Sequence, residues 1–208
     1  MKNLTRTLLL GAALIAAFPA LAQVNQVPQV GVTSGFVAKT TYSAAFIGLV
    51  PAASATDVIC LAGSATKTIK LQSIRLSGSG TAISIPVTLI KRVSADTGGT
   101  AGSTTANPAN TISSRNSANA TATAVPIAYT ANPTIVDTTP TYVDSAELGV
   151  VATTVGLIGS QLFFEYTKDT NNLAQQPTLR GVAEQLCINL NATSPTALLN
   201  GTLTWTEE

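Results

Sequence analysis

The stretch ISIPVTLIKRV, Ile83 to Val93, is the clearest strand signal in the chain. Its odd-numbered positions from 83 to 89 are all aliphatic, and they alternate with serine, proline, threonine and isoleucine. A period of two residues predicts a β-strand with one buried face. Pro86 has no N–H for the hydrogen-bond ladder, so we expect this strand to lie at a sheet edge or to carry a β-bulge there.

Short runs of the same kind recur between turn signals from Thr40 onward, and no stretch has a convincing helical period. Valine, isoleucine and threonine are common, whereas the helix formers Glu, Lys, Arg and Met are rare. We therefore predict an all-β fold, in which residues 40–208 form a single antiparallel β-sandwich domain of eight to nine short strands. A jelly-roll-like topology is favoured over an immunoglobulin-like one, because the only tryptophan, Trp205, follows both cysteines.

The first and last of these runs, Thr41–Val50 and Thr202–Thr206, carry expectations about which side chains are buried. Alternate residues of a strand point to opposite faces of its sheet. We expect these residues to point inward: Ala45, Ile47 and Leu49 of the first run, and Leu203 and Trp205 of the last.

The run Lys67–Leu76 changes the parity of its aliphatic residues between Leu71 and Ile74. Such a change within one strand indicates a β-bulge, which adds one residue and restores the inward face. The glycine-rich segment that follows, Ser77–Gly80, is interpreted as a hairpin turn.

Met1–Ala22 has the three parts of a secretory signal peptide. Lys2 and Arg6 supply positive charge, and Leu8–Phe18 is an apolar stretch too short to span a bilayer. An A-x-A cleavage site then ends at Ala22. We expect cleavage after Ala22, a secreted, periplasmic or cell-surface location, and no membrane span in the remaining chain.

Residues 23–39, which begin QVNQVPQV, lack a helical period and are interpreted as an extended N-terminal arm. The arm is either a flexible leader or a strand that pairs with a neighbouring subunit. A second unusual segment, Ser94–Ala124, consists mainly of Ser, Thr, Ala, Asn and Gly, and Ile112 is its only large apolar residue. We expect residues 94–124 to form a long surface loop, ordered or not, because they can bury little apolar area.

Charge and composition exclude several classes of function. The chain has 11 Lys+Arg against 10 Asp+Glu, and loss of Lys2 and Arg6 would leave one net negative charge. With no basic patch, nucleic acid is not an expected partner. The chain has no histidine, which excludes Ser-His-Asp and Cys-His catalysis and histidine-based zinc sites. We find no catalytic, cofactor-binding or metal-binding motif.

The chain has two cysteines, Cys60 and Cys187. In an oxidising compartment an even number of cysteines suggests a disulfide, which would here link Cys60 to Cys187. The alternative is two unrelated buried thiols, which behave as small hydrophobic groups.

Paired carboxylates can hydrolyse glycosides, and Glu165 and Glu184 are the only pair on predicted strands that merits inspection. We expect both to lie on outward or polar faces, so a glycoside hydrolase is an unfavoured alternative. Asp96 precedes two glycines and could lie near a calcium ion, but one carboxylate is too few to predict a calcium site.

Several stretches resemble β-rich proteins of tailed phages and environmental viruses that are regarded as virion structural proteins. They cover about half of the chain after Ala22, in matching order, and are Leu49–Gly78, Leu89–Gly99, Ala128–Thr134, Leu179–Asn191 and the ending GTLTWTEE, Gly201–Glu208. The resemblance implies a capsid-, tail- or decoration-type β-sandwich that assembles with copies of itself. A bacterial gene of prophage descent, recruited for secretion, would combine this resemblance with the secretory signal.

The leading hypothesis is a non-enzymatic, exported β-sandwich that self-associates as a homo-oligomer and acts through its surfaces, with no cofactor. The alternative is a secreted monomeric adhesin or carbohydrate-binding module, whose partner would be a surface glycan or a protein. That alternative predicts a cleft with exposed aromatic rings, for which the candidates are Tyr42, Tyr129, Tyr142 and Tyr166. Tyr166 shares parity with Leu162 and Phe164, so we expect it to point inward.

Overall fold

A computed structural model of the chain describes residues 39–51, 56–81, 83–101, 111–152, 161–166, 175–191 and 196–208. The predicted signal peptide, residues 1–22, and the predicted arm as far as residue 38 lie outside the described residues. The strands, in chain order, are β1 Thr40–Leu49, β2 Thr56–Ala62, β3 Ile69–Gly80, β4 Ile83–Arg92, β5 Thr100–Ala101, β6 Ser113–Ser114, β7 Val125–Ala131, β8 Thr141–Ala152, β9 Leu162–Glu165, β10 Thr178–Leu179, β11 Gln185–Leu190 and β12 Ala197–Glu207.

The described residues are all-β, as the sequence predicts, and they contain no α-helix. The strands hydrogen-bond in the order β5-β7-β2-β11-β4-β8-β3-β12-β1-β6, and β9 and β10 pair with β3 beside this path. The result is one continuous curled sheet that is consistent with a sandwich of the jelly-roll-like class. The described residues contain twelve strands rather than eight to nine, and the additional ones are mostly two residues long.

One pair of strands departs from the antiparallel expectation. The end of β8 runs parallel to the end of β3, with Val151 opposite Ser79 and Ala152 opposite Gly80. The rest of β8, from Thr141 to Val150, pairs antiparallel with β4. β8 therefore connects the strand group β6-β1-β12-β3 to the group β4-β11-β2-β7.

The main core contains inward-facing residues of both strand groups, and β12 lies near its centre between β1 and β3. Leu203 and Trp205 are buried as predicted, and Trp205 has no solvent exposure. The Trp205 ring stacks on Tyr42 with 5.9 Å between ring centroids. Gly201 leaves room for Phe46, since a Cβ at position 201 would lie 2.4 Å from the Phe46 ring.

The last residue of β12, Glu207, has a buried carboxylate. The Glu207 carboxylate accepts hydrogen bonds from the Trp205 indole at 3.0 Å, from the Thr123 hydroxyl at 2.7 Å, and from the backbone N–H groups of Thr123 and Ala124 at 3.0 Å. Burial alone would raise the pKa of Glu207, but these hydrogen bonds outweigh burial and hold the pKa below its ordinary value. Glu207 thus attaches the last strand to residues 123–124.

The predicted bulge in the third strand is confirmed. Leu71 lies opposite Trp205 and Ser73 lies opposite Thr204, so Gln72 is the extra residue. The segment Ser77–Gly80, however, is not a hairpin turn but the continuation of β3, which pairs with β12 as far as Gly80. A glycine is required at position 78 because this part of β3 packs closely against Val150. A Cβ on Gly78 would lie 2.8 Å from a methyl group of Val150.

The prediction for the first strand is wrong in part. Leu49 is buried, but Ala45 is only half-buried and Ile47 is 60% exposed. Ala44 and Phe46 are buried in their place. A register shift between Phe46 and Leu49, with Gly48 at a φ of 67°, reverses the alternation at this point. The left-handed backbone at Gly48 is one that glycine adopts readily.

The expectation that Pro86 marks a sheet edge is also wrong, because β4 pairs with β11 on one side and β8 on the other. The Pro86 carbonyl accepts a hydrogen bond from the Asn191 N–H at 3.0 Å, immediately beyond the last residue of β11. In an antiparallel pair the N–H and C=O of one residue point to the same neighbour. The missing N–H of Pro86 therefore points to the end of the β11 ladder, where its loss is tolerated.

Replacement of Trp205 by alanine should lower the free energy of unfolding by about 3–5 kcal/mol, because it empties a fully buried site and removes a donor to Glu207. Urea unfolding would measure the change. Tyr142→Ala is the matched control, since Tyr142 is 69% exposed and its loss should cost under about 1 kcal/mol. Equal, small losses in both variants would contradict the placement of Trp205.

Candidate functional site

The second buried region lies on the outer face of the strand group β7-β2-β11-β4 and is centred on a disulfide. Cys60 and Cys187 are directly opposite each other on β2 and β11, and their sulfurs are bonded, as the sequence suggests. The bond joins residues 127 positions apart. In the chain-entropy view, a bridge over so long a loop contributes at most about 4–5 kcal/mol.

Polar side chains of β2, β4 and β11 surround the disulfide on this face. Arg92 of β4 binds the Asp57 carboxylate through two guanidinium nitrogens, Nε and Nη2, the second at 3.0 Å from Oδ1. The Asn189 amide donates to the same carboxylate at 2.6 Å. Asp57 and Arg92 are both buried, so this pair is a desolvated ion pair whose hydrogen bonds are nearly complete.

Two further aspartates enter this cluster from the segments that follow β4 and β7. The Asp137 backbone carbonyl accepts from Arg92 at 2.7 Å, and backbone hydrogen bonds from Val93 and Thr139 hold the pKa of the Asp137 carboxyl below its usual value. The Asp96 N–H donates to the Gln185 amide oxygen at 3.0 Å. Gln185 lies opposite Arg92 in the β11–β4 ladder.

The Asp96 carboxyl is the least satisfied group of the cluster. Its Oδ1 is buried without a hydrogen-bond partner, and the nearest cation, Arg92 Nε, is 3.7 Å away. Burial, together with the neighbouring charge of Asp57, raises the pKa of Asp96 to about 7. The other Asp96 oxygen lies 3.9 Å from the Cys60 sulfur, which as part of a disulfide has no proton to donate.

Asp57, Asp96 and the two cysteines place their oxygen and sulfur atoms within 4.8 Å of one another, a grouping close enough to suggest a metal site. The residues do not fit a metal ion. Both sulfurs are bonded to each other, so neither is a thiolate ligand. Asp57 already binds the guanidinium of Arg92, which occupies the cationic position of the cluster.

The residues that cover this cluster come partly from the predicted surface loop, Ser94–Ala124. Asp96 is buried, and the adjacent Thr97 exchanges backbone hydrogen bonds with Thr134 at 3.1 and 2.7 Å. Gly99, at a φ of 72°, lies so close to Tyr129 that a Cβ would be 2.9 Å from the ring. The loop is thus packed at both described ends, the other end being Thr123–Ala124, while residues 102–110 lie outside the described residues.

The carboxylate pair considered for hydrolysis is not brought together. Glu165 is on β9, opposite Ser73 of β3. Glu184 precedes β11, where its carboxylate pairs with Lys91 at 3.2 Å and accepts from the Arg180 N–H. The two glutamates therefore belong to different parts of the sheet and share no contact among the described residues.

The four tyrosines considered as a binding platform do not form one. Tyr42 is buried and donates to the Ala120 carbonyl at 2.6 Å, and Tyr129 is buried beside the disulfide. Tyr166 packs partly against the core, as its parity predicts, with its hydroxyl 3.4 Å from Asp144. Tyr142 alone of the four is largely exposed.

An open groove lies on the outer face of the other strand group, β3-β12-β1. One part is a cavity of about 490 Å³ with Thr202 and Thr204 on its floor and Arg75 and Arg115 among its walls. A second cavity of about 350 Å³ shares Arg75 and Thr202 with the first, so the two form one continuous groove. The Arg75 guanidinium lies 4.9 Å from the centre of the Phe163 ring on β9.

Comparison with protein-family models, with curated proteins and with solved structures gives no match to the chain. In the part of the chain that the structure describes, no helix has the length and apolar character needed to cross a bilayer. The disulfide is compatible with an extracellular location.

Sequence reasoning missed both the ionic cluster and the arginine groove. Strand alternation alone puts Gln185, Cys187 and Asn189 of β11 on the face opposite its aliphatic residues, and the structure has them there. The signal for the cluster was the charge at Asp57 and Arg92 within otherwise apolar strands. Such charges are rarely buried without a partner, so the two could have been expected to pair.

Replacement of Asp96 by asparagine should stabilise the protein at pH 8 but not at pH 4. Because the pKa of Asp96 is raised from 3.8 to about 7 in the folded chain, its contribution to stability falls as the pH rises through that window. The asparagine variant should gain at least about 1 kcal/mol relative to the parent between pH 4 and pH 8. Urea unfolding at both pH values would measure this gain.

Asp144→Asn, a substitution at an exposed position of β8, is the control for a general effect of removing negative charge. A gain that is equal in both variants, or that is absent in Asp96→Asn, would show that Asp96 is not under electrostatic strain.

Proposed function

We propose that the chain is a non-enzymatic, exported β-sandwich that works as a self-assembling structural subunit, phage-structural-like or of prophage descent. In this proposal residues 1–22 direct export and are removed after Ala22, and residues 23–39 provide the arm that links copies. The observation that carries the proposal is the stretch Phe46–Leu49 of β1, which is uncharged and whose outer edge pairs with no described strand.

The outer edge of β1 is covered over only part of its length among the described residues. It pairs with β6 at Tyr42 and Ser43, and Ala45 forms hydrogen bonds with the Thr111 hydroxyl. From Phe46 to Leu49 no described strand pairs with this edge. An uncovered strand edge offers backbone donors and acceptors to another chain.

β8 from Thr141 to Val150 pairs with β4 alone among the described residues, and its other edge is protected differently from that of β1. β8 carries the charged residues Asp144 and Glu147 along its length, a common defence against edge-to-edge association. β1 has no charged residue, and the apolar side chains of Ile47 and Val50 are 60% and 56% exposed at its open end. The β1 edge is therefore the better site for addition of a strand from another copy.

The arm has the composition of such a strand. The segment QVNQVPQVGVTSGF, Gln23–Phe36, contains four valines and no charge. Its connection to the start of β1 supplies each copy with one arm and one acceptor edge, which is the arrangement that produces a ring or a filament. Two of the buried acids, Asp57 and Glu207, are committed to internal hydrogen bonds, which supports a non-enzymatic role.

The mature chain from Gln23 should form a discrete oligomer or a filament, and deletion of residues 23–36 should dissolve it to monomers. Size-exclusion chromatography with light scattering on both forms would measure the masses. A monomer in both forms would contradict self-assembly, and an oligomer unaffected by the deletion would contradict the role of the arm.

A pair of point variants separates the edge from general surface hydrophobicity. Ile47→Lys places a charge at the open edge of β1, whereas Val182→Lys makes the same change at a position that is 61% exposed elsewhere on the surface. Under the proposal, only Ile47→Lys reduces the oligomer. Equal effects of the two variants would contradict the assignment to β1.

A further inference from the structure

We propose that the groove across β3, β12 and β1 binds an anionic polysaccharide through Arg75 and Arg115. The proposal goes beyond self-assembly, because it concerns a ligand that binds the outer face of the sheet. The second cavity of this groove extends to Ile47 at the open edge of β1. The shared chemistry of the ligand is a sugar chain that carries carboxylate or sulfate groups.

The two arginines are available for an external anion. Both line the 490 Å³ cavity, both are exposed, and neither forms an ion pair with any described residue. Arg92, by contrast, is buried with its carboxylate partner inside the molecule. A guanidinium presents a planar set of donors that suits carboxylate and sulfate oxygens.

Neighbouring groups hold both arginines in place. Arg75 lies over the Phe163 ring, its cross-strand neighbour on β9, in a cation–π contact. The Arg115 N–H donates to the Thr41 carbonyl at 2.9 Å, which fixes its backbone at the edge of β1. β3, β12, β1 and β6 lie side by side, so the two arginine backbones are about three strand spacings, or about 14 Å, apart across the sheet. They are also offset by four residues, or about 13 Å, along the strands, because Arg75 is level with Ala45 and Arg115 with Thr41.

The floor of the groove favours a sugar over a simple inorganic anion. Thr202 and Thr204 face the cavity, with Gln72 and Ser73 beside them, and these groups can exchange hydrogen bonds with sugar hydroxyls. Together with the two guanidinium groups, these hydroxyl and amide groups suit a ligand that carries both hydroxyls and acidic groups.

The shape of the groove favours a chain over a single sugar ring. The two cavities meet at Arg75 and Thr202 and extend along β12 from Thr204 to Asn200. Four residues of a strand span about 13 Å. Since the groove is open along this length, an extended polymer can lie across it with its acidic groups near the arginines.

Affinity electrophoresis of the mature chain in gels that contain a polyuronate, dextran sulfate or neutral dextran tests the proposal. Retardation by at least one of the two anionic polymers, and none by neutral dextran, is the expected result. Retardation by the polyuronate alone identifies carboxylate as the recognised group, and retardation by dextran sulfate alone identifies sulfate. Absence of retardation by either anionic polymer would overturn the proposal.

Charge-matched variants distinguish this groove from general attraction to polyanions. Arg75→Gln and Arg115→Gln should each weaken binding about tenfold, because each removes a charged hydrogen-bond donor. Arg180→Gln removes the same charge from an exposed arginine outside the groove and should leave binding unchanged. An equal loss in Arg180→Gln, or displacement of the polysaccharide by single-stranded DNA at equal charge concentration, would overturn the assignment. Light scattering on the same samples measures the oligomer mass, so that a failure of self-assembly is distinguished from a failure of polysaccharide binding.

Discussion

The Trp205 indole and the buried Glu207 carboxylate, which are hydrogen-bonded to each other, together join the first strand, the last strand and the long polar loop. The Trp205 ring fills the centre of the main core and stacks on Tyr42 of the first strand. The same carboxylate accepts from Thr123 and Ala124, which end the long polar loop. An unsatisfied buried carboxylate would be costly, so the first strand, the last strand and the loop must be in place together.

β12, which contains both Trp205 and Glu207, contributes side chains to both faces of the sheet. Its inward residues, Leu203 and Trp205, hold the core, while its outward residues, Thr202 and Thr204, form the floor of the arginine groove. A change of register in β12 would therefore remove the core and the groove at once. The charged side chains are also of two kinds. Asp57 and Arg92 are buried and neutralise each other, whereas Arg75 and Arg115 are exposed.

Sequence periodicity predicted the all-β class, the bulge in β3 and the inward side chains of β12, because each depends on local alternation. It did not predict the exposure of Ile47, which depends on the left-handed backbone at Gly48, or the central position of the strand that contains Pro86. Sequence periodicity did not predict the ionic cluster or the groove either, for a different reason. Arg75 and Arg115 line the same cavity because of the strand order, which alternation does not specify.

The most direct test of this account compares Glu207→Gln with the parent by urea unfolding between pH 3 and pH 8. The pKa of Glu207 is lowered from 4.5 in the folded chain, so its stabilising contribution is complete above that pH and is lost as the pH falls through the folded-state pKa. The account predicts that the variant is less stable by about 1–3 kcal/mol at pH 7, with a deficit that shrinks in acid. No deficit at pH 7, or one that is independent of pH, would contradict it.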